Sequence, residues 1–574
     1  MLSAIKEIGE LTSKKASSPG RQIDGKVLTV LLDIELKKYL GTDIEDFDSG
    51  KINQYLFKEG ASKGNEPAPF CPITKPKKNK NEKEGEKTYK KIERWLKQCA
   101  ETSEEGINLA RNAMGILSEN EKKVVEDIEQ KVKTLPTKET RFLTVRIDGK
   151  FLGEYDIFQK CLGRFKEIKI KSSANLGTCS VCGGSGIEVS GKIGVFKFSS
   201  IDKPGFIVGG FQERCAWKNY PVCLECGSLL ESGRSFIDIN LNFKFYGLSY
   251  YLIPHLLIGD NRTLDEILNI LSDGIKTVSL GDRIRKRITN DENEILEYLS
   301  EEKDVLTLNF LFLQKQQSAE RILLLIEDVF PSRIKKIFWT KDYVDNIFDS
   351  ENDQGFTFGT IRTFFSKSDQ NKRTSDLNKY FLEIIDRIFK GGKLDFSFLV
   401  KFYMMVIRKE FIDEDYFKFR VKDALMSTAF FENLGLIVFE EVKNMEDGEF
   451  SSLFEKYGKS FATPAKRGVF LMGSLTQLLL NKQWSERGAK PFMKKLKGLK
   501  MDEKDIKALL PEIHSKLEEY DAFDKGKRFL ASEIAKYLLA AGDGWKMSVD
   551  ELNFYFSCGM NLADSIAVIV YPKN

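Results

Sequence analysis

The sequence predicts an α+β fold. A mixed N-terminal and middle part comes first, and a mostly α-helical C-terminal bundle follows. Three observations predict it. Phe142–Asp148 and Lys150–Tyr155 alternate in polarity around Asp148-Gly149, a strand–turn–strand pattern. Two Cys-x-x-Cys pairs, Cys179/Cys182 and Cys223/Cys226, lie in the same stretch. From about residue 260 onward apolar residues recur at helical spacing. A chain of 574 residues has room for roughly two to four domains. The expected divisions are 1–140, mixed with a lysine-rich loop; 141–260, strand-rich with the cysteine pairs; 261–370, helical; and 371–574, the helical bundle.

Taken in order, Val27–Ile34 is the first strongly apolar stretch. Lys75–Lys91 carries eight Lys against three Glu with few apolar residues and reads as a mobile loop. Residues 92–135 read as helical, with Ile92, Trp95 and Leu96, then Val124, Val125, Ile128 and Val132, on repeating faces. After the Asp148-Gly149 turn, Ile187–Phe198, Phe206–Phe211 and Phe236–Phe245 read as further strands. Beyond 260, Ile267, Leu268, Leu271 and Ile275 share a helical face, as do Ile322, Leu325, Ile326 and Val329. In Asp502–Tyr520 the apolar positions Ile506, Leu509, Leu510, Ile513 and Leu517 mark an amphipathic helix, with Pro511 expected to restart it.

The cysteine pairs carry the clearest chemistry. Nine cysteines in this length give only about 0.13 such pairs by chance. Gly183 follows Cys182 and Gly227 follows Cys226, the residue type a tight turn around a thiolate needs. Cys179, Cys182, Cys223 and Cys226 are therefore the expected ligands of a closed, structural Zn²⁺ site, with Ile187–Phe211 as a strand-rich insertion between the pairs. A redox motif explains one pair but not a matched second. Cys215 is a nearby fifth candidate, better read as a buried free thiol. Gly186–Ile193 nearly matches a phosphate-binding loop but places Ile193 where Ser or Thr must reach Mg²⁺, so it reads as a hairpin turn. Glu167-Ile-Lys169 and Glu441-Val-Lys443 resemble half a nuclease motif, a triplet that 30% charged residues produce by chance.

Composition excludes more than it assigns. His255 and His514 are the two histidines, which removes clustered-histidine metal centres and histidine-based nuclease centres. Each sits in an apolar or amphipathic context and reads as structural. The net charge is +4, so a nucleic-acid partner would have to meet a local positive field. Such a field exists in Lys466–Lys500: Lys466, Arg467, Lys482, Arg487, Lys490, Lys494, Lys495, Lys497 and Lys500 against the single acid Glu486, with Trp484 and Phe492 interleaved. Arg283, Arg285, Lys286 and Arg287 form a second cluster, and Lys75–Lys91 a third. The longest apolar runs, Leu248–Ile258 and Val305–Leu313, are too short to span a bilayer. The N-terminus lacks the apolar core of a signal peptide, so a soluble, cytoplasmic protein is expected.

One ordered series goes further. Gly468-Val-Phe-Leu-Met-Gly473 is followed by Pro491-Phe492, Lys495-Leu496, Gly498-Leu499, Ile506, Leu509-Leu510-Pro511-Glu512, Lys516-Leu517 and Glu519-Tyr520. Glu551, Phe554-Tyr555-Phe556 and Gly559-Met560-Asn561-Leu562-Ala563 complete it. With the upstream cysteine pairs, this series resembles the large subunit of the type I-B CRISPR Cascade surveillance complex. The resemblance implies a non-catalytic subunit that reads a short protospacer-adjacent motif on duplex DNA, aids strand opening and stabilises the R-loop. Its implied partners are CRISPR guide RNA, double-stranded target DNA, the backbone, small and guide-end Cascade subunits, and a helicase-nuclease recruited in trans. Sequence along the target would be read by base pairing to the guide. A separate small subunit starting inside the chain is also implied, with Met426 and Met445 as candidate starts. The competing classes are a stand-alone zinc-ribbon nucleic-acid-binding protein and a carboxylate-based metal nuclease.

Overall fold

A computed structural model describes residues 1–13, 25–57, 67–73, 83–102, 107–136, 139–162, 174–191, 195–199, 209–258, 261–272, 305–316, 319–348, 355–369, 372–413, 416–439 and 448–572. The chain divides into two compact units. One comprises Leu2–Leu241 with Ser318–Glu320; the other comprises Asn242–Gln317 and Arg321–Asn574 with Met1.

The first unit is built on a sheet of order β2-β1-β4-β3, with β5 paired to β4. Its strands are β1 (Lys26–Asp33), β2 (Lys38–Asp46), β3 (Cys71–Pro72), β4 (Arg141–Ile147) and β5 (Lys150–Phe151). β1 and β4 run parallel, in a register that sets Leu28 beside Leu143, Val30 beside Val145 and Leu32 beside Ile147. Parallel neighbours need a long crossover. Here it includes α2 (Glu86–Thr102), α3 (Ile107–Glu119) and α4 (Glu121–Lys133), after α1 (Leu2–Thr12) near the N-terminus. The paired residues face these helices and share a core with Trp95, Leu96, Val124 and Ile128. The alternate residues Val27 and Phe142 form a second core with Tyr55, Phe70 and Phe151 on the opposite face. Two buried faces explain why Val27–Leu32 is apolar at every position but Thr29 rather than alternating.

The Asp148-Gly149 turn is present, with φ of +46° and +77° at the two residues. Several expectations in this unit change. The lysine-rich segment is not wholly a loop: Lys87, Lys90 and Lys91 belong to α2, where Lys90 pairs with Glu86 at 2.8 Å and Tyr89, Ile92 and Trp95 are buried. Residues 74–82 lie outside the described residues. Phe236–Asn240 is not strand but the last turns of α5 (Leu224–Asn240), whose buried Leu230 and Ile237 seven residues apart keep a helical face inward. The near-match to a phosphate loop is no turn either. β7 (Ser185–Ser190) runs through it, pairing with β6 (Asn175–Thr178) and β8 (Val222–Cys223) in a three-stranded sheet. The strand expected over Ile187–Phe198 ends at Ser190, and Lys197–Ser199 is a single 3₁₀ turn. Of the strand expected over Phe206–Phe211, residues 209–211 are turn and the rest lie outside the described residues.

The second unit opens with a four-stranded sheet of order β12-β11-β10-β9. These are β9 (Asn242–Phe245), β10 (Leu248–Ile258), β11 (Val305–Gln316) and β12 (Ala319–Val329). The middle region is thus not simply helical: Ile322, Leu325, Ile326 and Val329 lie on a strand. Residues 322–326 are five consecutive apolar residues, a run whose periodicity fits either element. The adjacent strand β11 resolves the ambiguity. A helix, α6 (Asn261–Ser272), does carry Ile267 and Leu268 buried. Phe243, Tyr250, Phe310 and Phe312 form an aromatic layer on the sheet.

Helices follow: α7 (Pro331–Ile347), α8 (Phe358–Phe364), α9 (Asn378–Lys390), α10 (Phe396–Asp413) and α11 (Phe417–Asn433). Then come α12 (Pro464–Arg487), α13 (Glu503–Glu519), α14 (Lys525–Ala541), α15 (Val549–Asn561) and α16 (Ala563–Val570). α12 is the axis of the bundle. Thr463 caps its start, Pro464 occupies its first turn, and Gly488 ends it in a left-handed conformation at φ +60°. Pro511 does not restart α13, which runs through it. The proline lies on the exposed side while Ile506, Leu509, Ile513 and Leu517 hold the opposite face in the core. Among the described residues no helix is long and apolar enough to cross a membrane.

Candidate functional site

The first cysteine pair sits on the turn between β6 and β7. The Cys179 N–H donates to the Gly184 carbonyl at 2.9 Å, and the Gly183 N–H donates back to the Cys179 carbonyl at 2.9 Å. Gly183 takes φ +73°, so glycine is required there. Ser180 fastens the turn by donating its N–H to the Pro221 carbonyl at 2.8 Å. The second pair is built differently. Cys223 ends β8 and caps α5, its sulfur accepting from the Cys226 N–H at 3.5 Å. Gly227 is an ordinary buried helical residue, so the expected matched second turn is replaced by a helix N-terminus. Its unpaired N–H groups and positive dipole end favour thiolate.

The Sγ atoms of Cys179, Cys182, Cys223 and Cys226 all lie within 4.8 Å of one another, with Cys182 and Cys223 4.0 Å apart. A tetrahedral Zn–S₄ centre needs sulfurs about 3.8 Å apart, so the four fit a metal. Cys179, Cys223 and Cys226 are buried and Cys182 is exposed. Burial pushes the Cys179 thiol up, but N–H donors from Cys182, Cys223 and Val181 outweigh it and bring it down to about 6. Burial raises Cys223 and Cys226. A cluster that ionises one sulfur easily and resists ionising its neighbours gains most from a divalent cation at its centre.

Two residues around the sulfurs carry no signal in the sequence. Lys6 on α1 is held protonated first by Glu10 and further by the Cys226 and Cys182 sulfurs, a cation set against the negative charge of four thiolates. Tyr220 has a buried hydroxyl, raised to about 12 first by burial and then by Cys179 and Cys226. α1 reaches the centre because Gly9 and Gly233 let it cross α5 backbone to backbone. A Cβ at Gly9 would lie 1.9 Å from the Leu229 carbonyl oxygen, and one at Gly233 1.9 Å from that of Ile5. Cys215 is half-buried and stands outside the cluster.

The basic segment proves to be divided. Lys466 lies over the Phe439 and Tyr555 rings, and Arg467 over Phe454 while donating to the Phe461 carbonyl at 3.0 Å. Both serve packing within the bundle. Lys482 pairs with Glu486 at 2.7 Å, Lys495 with Glu512 at 3.1 Å and Lys497 with Asp505 at 2.6 Å. Arg487 stacks on Tyr520. Lys494 and Lys500 are exposed without an ion pair among the described residues, and Lys490 stands 5.5 Å over the ring of Trp484, itself 58% exposed. The sequence reads net charge along the chain; beyond Glu486, the neutralising acids Asp505 and Glu512 come from α13, which only the fold brings alongside.

Arg283, Arg285, Lys286 and Arg287 lie outside the described residues, as do Glu167-Ile-Lys169 and Glu441-Val-Lys443. His255 is in β10, opposite Thr307. His514 packs on Phe523 at 4.3 Å and lies 3.5 Å from Glu518.

The series Gly468–Gly473 and Gly559–Ala563 has a structural meaning of its own. A Cβ at Gly473 of α12 would lie 1.9 Å from the Phe556 carbonyl oxygen, and one at Gly559 of α15 would lie 1.7 Å from that of Phe470. Ser474 Oγ seals the crossing by donating to the Gly559 carbonyl at 2.8 Å.

The N-terminal domain of the CRISPR-associated protein TM1802 family matches residues 1–164, its central domain residues 176–329 and its C-terminal domain residues 356–574. The central match contains all four clustered cysteines, and the C-terminal match contains the α12–α15 crossing. No curated protein matches the chain. Three domains of one family, in order and over nearly the whole length, make this chain a member of the CRISPR-associated protein TM1802 family.

Proposed function

We propose that the chain is the non-catalytic large subunit of a type I-B Cascade surveillance complex, directed by CRISPR guide RNA. The observation that carries this reading is the run of CRISPR-associated TM1802 domains from residue 1 to residue 574. The ordered C-terminal series and the cysteine centre support it. In this reading the N-terminal and central domains read a protospacer-adjacent motif on duplex DNA and help open the strands. The guide then pairs with the target, and the protein reads only the short motif and the backbone. The exposed part of the basic segment, Trp484 with Arg487, Lys490, Lys494 and Lys500, contacts a displaced or guide-paired strand through phosphates and stacking. A helicase-nuclease recruited in trans does the cleavage.

The four cysteines hold Zn²⁺ as a structural ion. It would clamp the β6–β7 turn to the start of α5, and its energy is folding energy rather than catalysis. A separate small subunit made from an internal start would begin at Met426 or at Met445, which lies outside the described residues. Met426 is buried within α11, and a start there would cut that helix.

Tagging the protein in its native cells, purifying it gently and sequencing the co-purifying RNA tests the reading. Short RNAs with a constant repeat flank and variable spacers are the expected result. Intact protein that binds DNA but carries no such RNA would shift the assignment to a stand-alone zinc-bearing DNA-binding protein.

A further inference from the structure

α7 carries a surface that neither its own unit's core nor the basic segment uses. Its inward face buries Ile334, Ile337, Phe338 and Val344. Its outward face is made by Lys335, Lys336, Trp339 and Tyr343, all exposed and spaced three or four residues apart on adjacent turns. Trp339 is 64% exposed and Tyr343 41% exposed. Their rings are nearly parallel, at 15°, with centroids 5.9 Å apart. Tryptophan is rarely left this open, and two aligned rings on one helix face form a flat, apolar shelf. Neither Lys335 nor Lys336 makes an ion pair among the described residues, whereas Lys341 on the buried side is paired with Asp345 at 2.8 Å.

We propose that this face of α7 is a stacking site for the unpaired bases of a single-stranded nucleic acid. Trp339 and Tyr343 extend the base stack, and Lys335 and Lys336 hold the phosphates one turn away. The charge decides the occupant. A helix docking on an apolar stripe gains little from two unneutralised lysines along its edge, whereas a nucleic-acid strand needs both elements at about this spacing. Duplex bases are already stacked and offer no free ring face, so the site discriminates for single strands. This placement is separate from Lys466–Lys500 and does not depend on the guide-RNA assignment.

The test uses the full chain and two fluorescein-labelled probes, a 20-nucleotide oligo(dT) and a 20-base-pair duplex, titrated at several salt concentrations. Trp339→Ala with Tyr343→Ala should weaken oligo(dT) binding roughly ten-fold or more, with the duplex affinity and the salt slope unchanged. Trp339→Phe with Tyr343→Phe, which keeps the rings, should restore most of the binding. Lys335→Gln with Lys336→Gln should instead lower the single-strand salt slope by about 1.4. Unchanged oligo(dT) affinity in the double-alanine and the double-glutamine variants overturns the proposal, as does an equal loss for single strand and duplex. Loss of a co-purifying protein subunit with oligo(dT) binding intact also overturns it and makes the face a protein contact. Because all four side chains are exposed, the melting profiles should match the parent, and the lysine variants keep the test decisive if the aromatic ones do not fold.

Discussion

Both units hold two helices together by the same device, glycine set against backbone, yet they use it for different ends. In the C-terminal bundle Gly473 and Gly559 bring α12 and α15 into contact amid Phe470, Leu471, Phe554 and Phe556, all fully buried. The crossing is one seam in a large apolar core, and burial alone supplies the stability. In the N-terminal unit Gly9 and Gly233 join α1 to α5, but α5 begins at Cys223 and Cys226. That crossing buries Ile5, Ile8, Leu230 and Ile237 and leads to a cluster of four sulfurs between short strands and the start of α5. The C-terminal seam therefore rests on packing alone, whereas the N-terminal crossing ends at four sulfurs placed closely enough to hold a metal.

The strongest way to break this contrast is at the sulfurs. Cys223→Ser removes one of the four thiols while leaving a hydroxyl that can still cap α5, so the change tests the sulfur rather than the cap. Structural zinc is worth on the order of 10 kcal/mol, so the protein should become largely insoluble and lose its bound zinc, measured by elemental analysis. Soluble, zinc-free, fully DNA-binding Cys223→Ser protein would show that no metal holds this unit. A metal chelator added to the native protein should likewise remove the melting transition of the N-terminal unit and leave that of the bundle.

The glycines come next. Gly559→Ala forces a methyl group into a main-chain carbonyl that cannot move aside, and overpacking of this kind costs about 1–3 kcal/mol or more. The bundle transition should fall by roughly 5–10 °C, with zinc content unchanged. Gly233→Ala should do the reverse, lowering the N-terminal transition and loosening zinc. Equal effects of both substitutions on both transitions would abolish the distinction between the units.

Charge gives a smaller effect. Lys494→Ala with Lys500→Ala should weaken DNA binding at all sequences and reduce the salt slope by about 2. Adding Lys495→Ala and Lys497→Ala should add less, because Glu512 and Asp505 already neutralise them. An identical slope in the double variant would remove this segment from the DNA path.

The smallest effect lies at Asp524, which caps α14 and accepts from Lys527 and Tyr571. Burial opposes its ionisation, but these donors prevail and bring the carboxyl to about 2. A depressed carboxylate contributes stability above its ordinary range near 4 and loses it as pH falls toward 2. Asp524→Asn should therefore lower the bundle midpoint slightly at pH 7 and make no difference near pH 2, as followed by circular dichroism.

Much of this was legible in the residues. The Asp148-Gly149 turn, the amphipathic face of α13 and the grouping of the four cysteines all follow from local rules: turn chemistry, helical period and the scarcity of paired Cys-x-x-Cys. Local rules failed where a distant segment decides. Residues 322–326 are equally apolar as helix or strand, and β11 makes them strand. Lys87, Lys90 and Lys91 look like part of a loop until Tyr89, Ile92 and Trp95 find the β1–β4 sheet to cover. Lys466 and Arg467 look like surface charge until Phe439, Tyr555 and Phe454 accept them as ring partners.

The sequence by itself therefore determined the fold class, the pairing of the four cysteines and the resemblance to a CRISPR-associated family, because each is carried by residue types at fixed spacing along the chain. Only the tertiary structure decided which lysines remain without a partner, why Gly559 and Gly473 must be glycine, and that Trp339 and Tyr343 lie open side by side. Those properties belong to pairs of surfaces, and a surface's partner is set by packing between segments far apart in the chain.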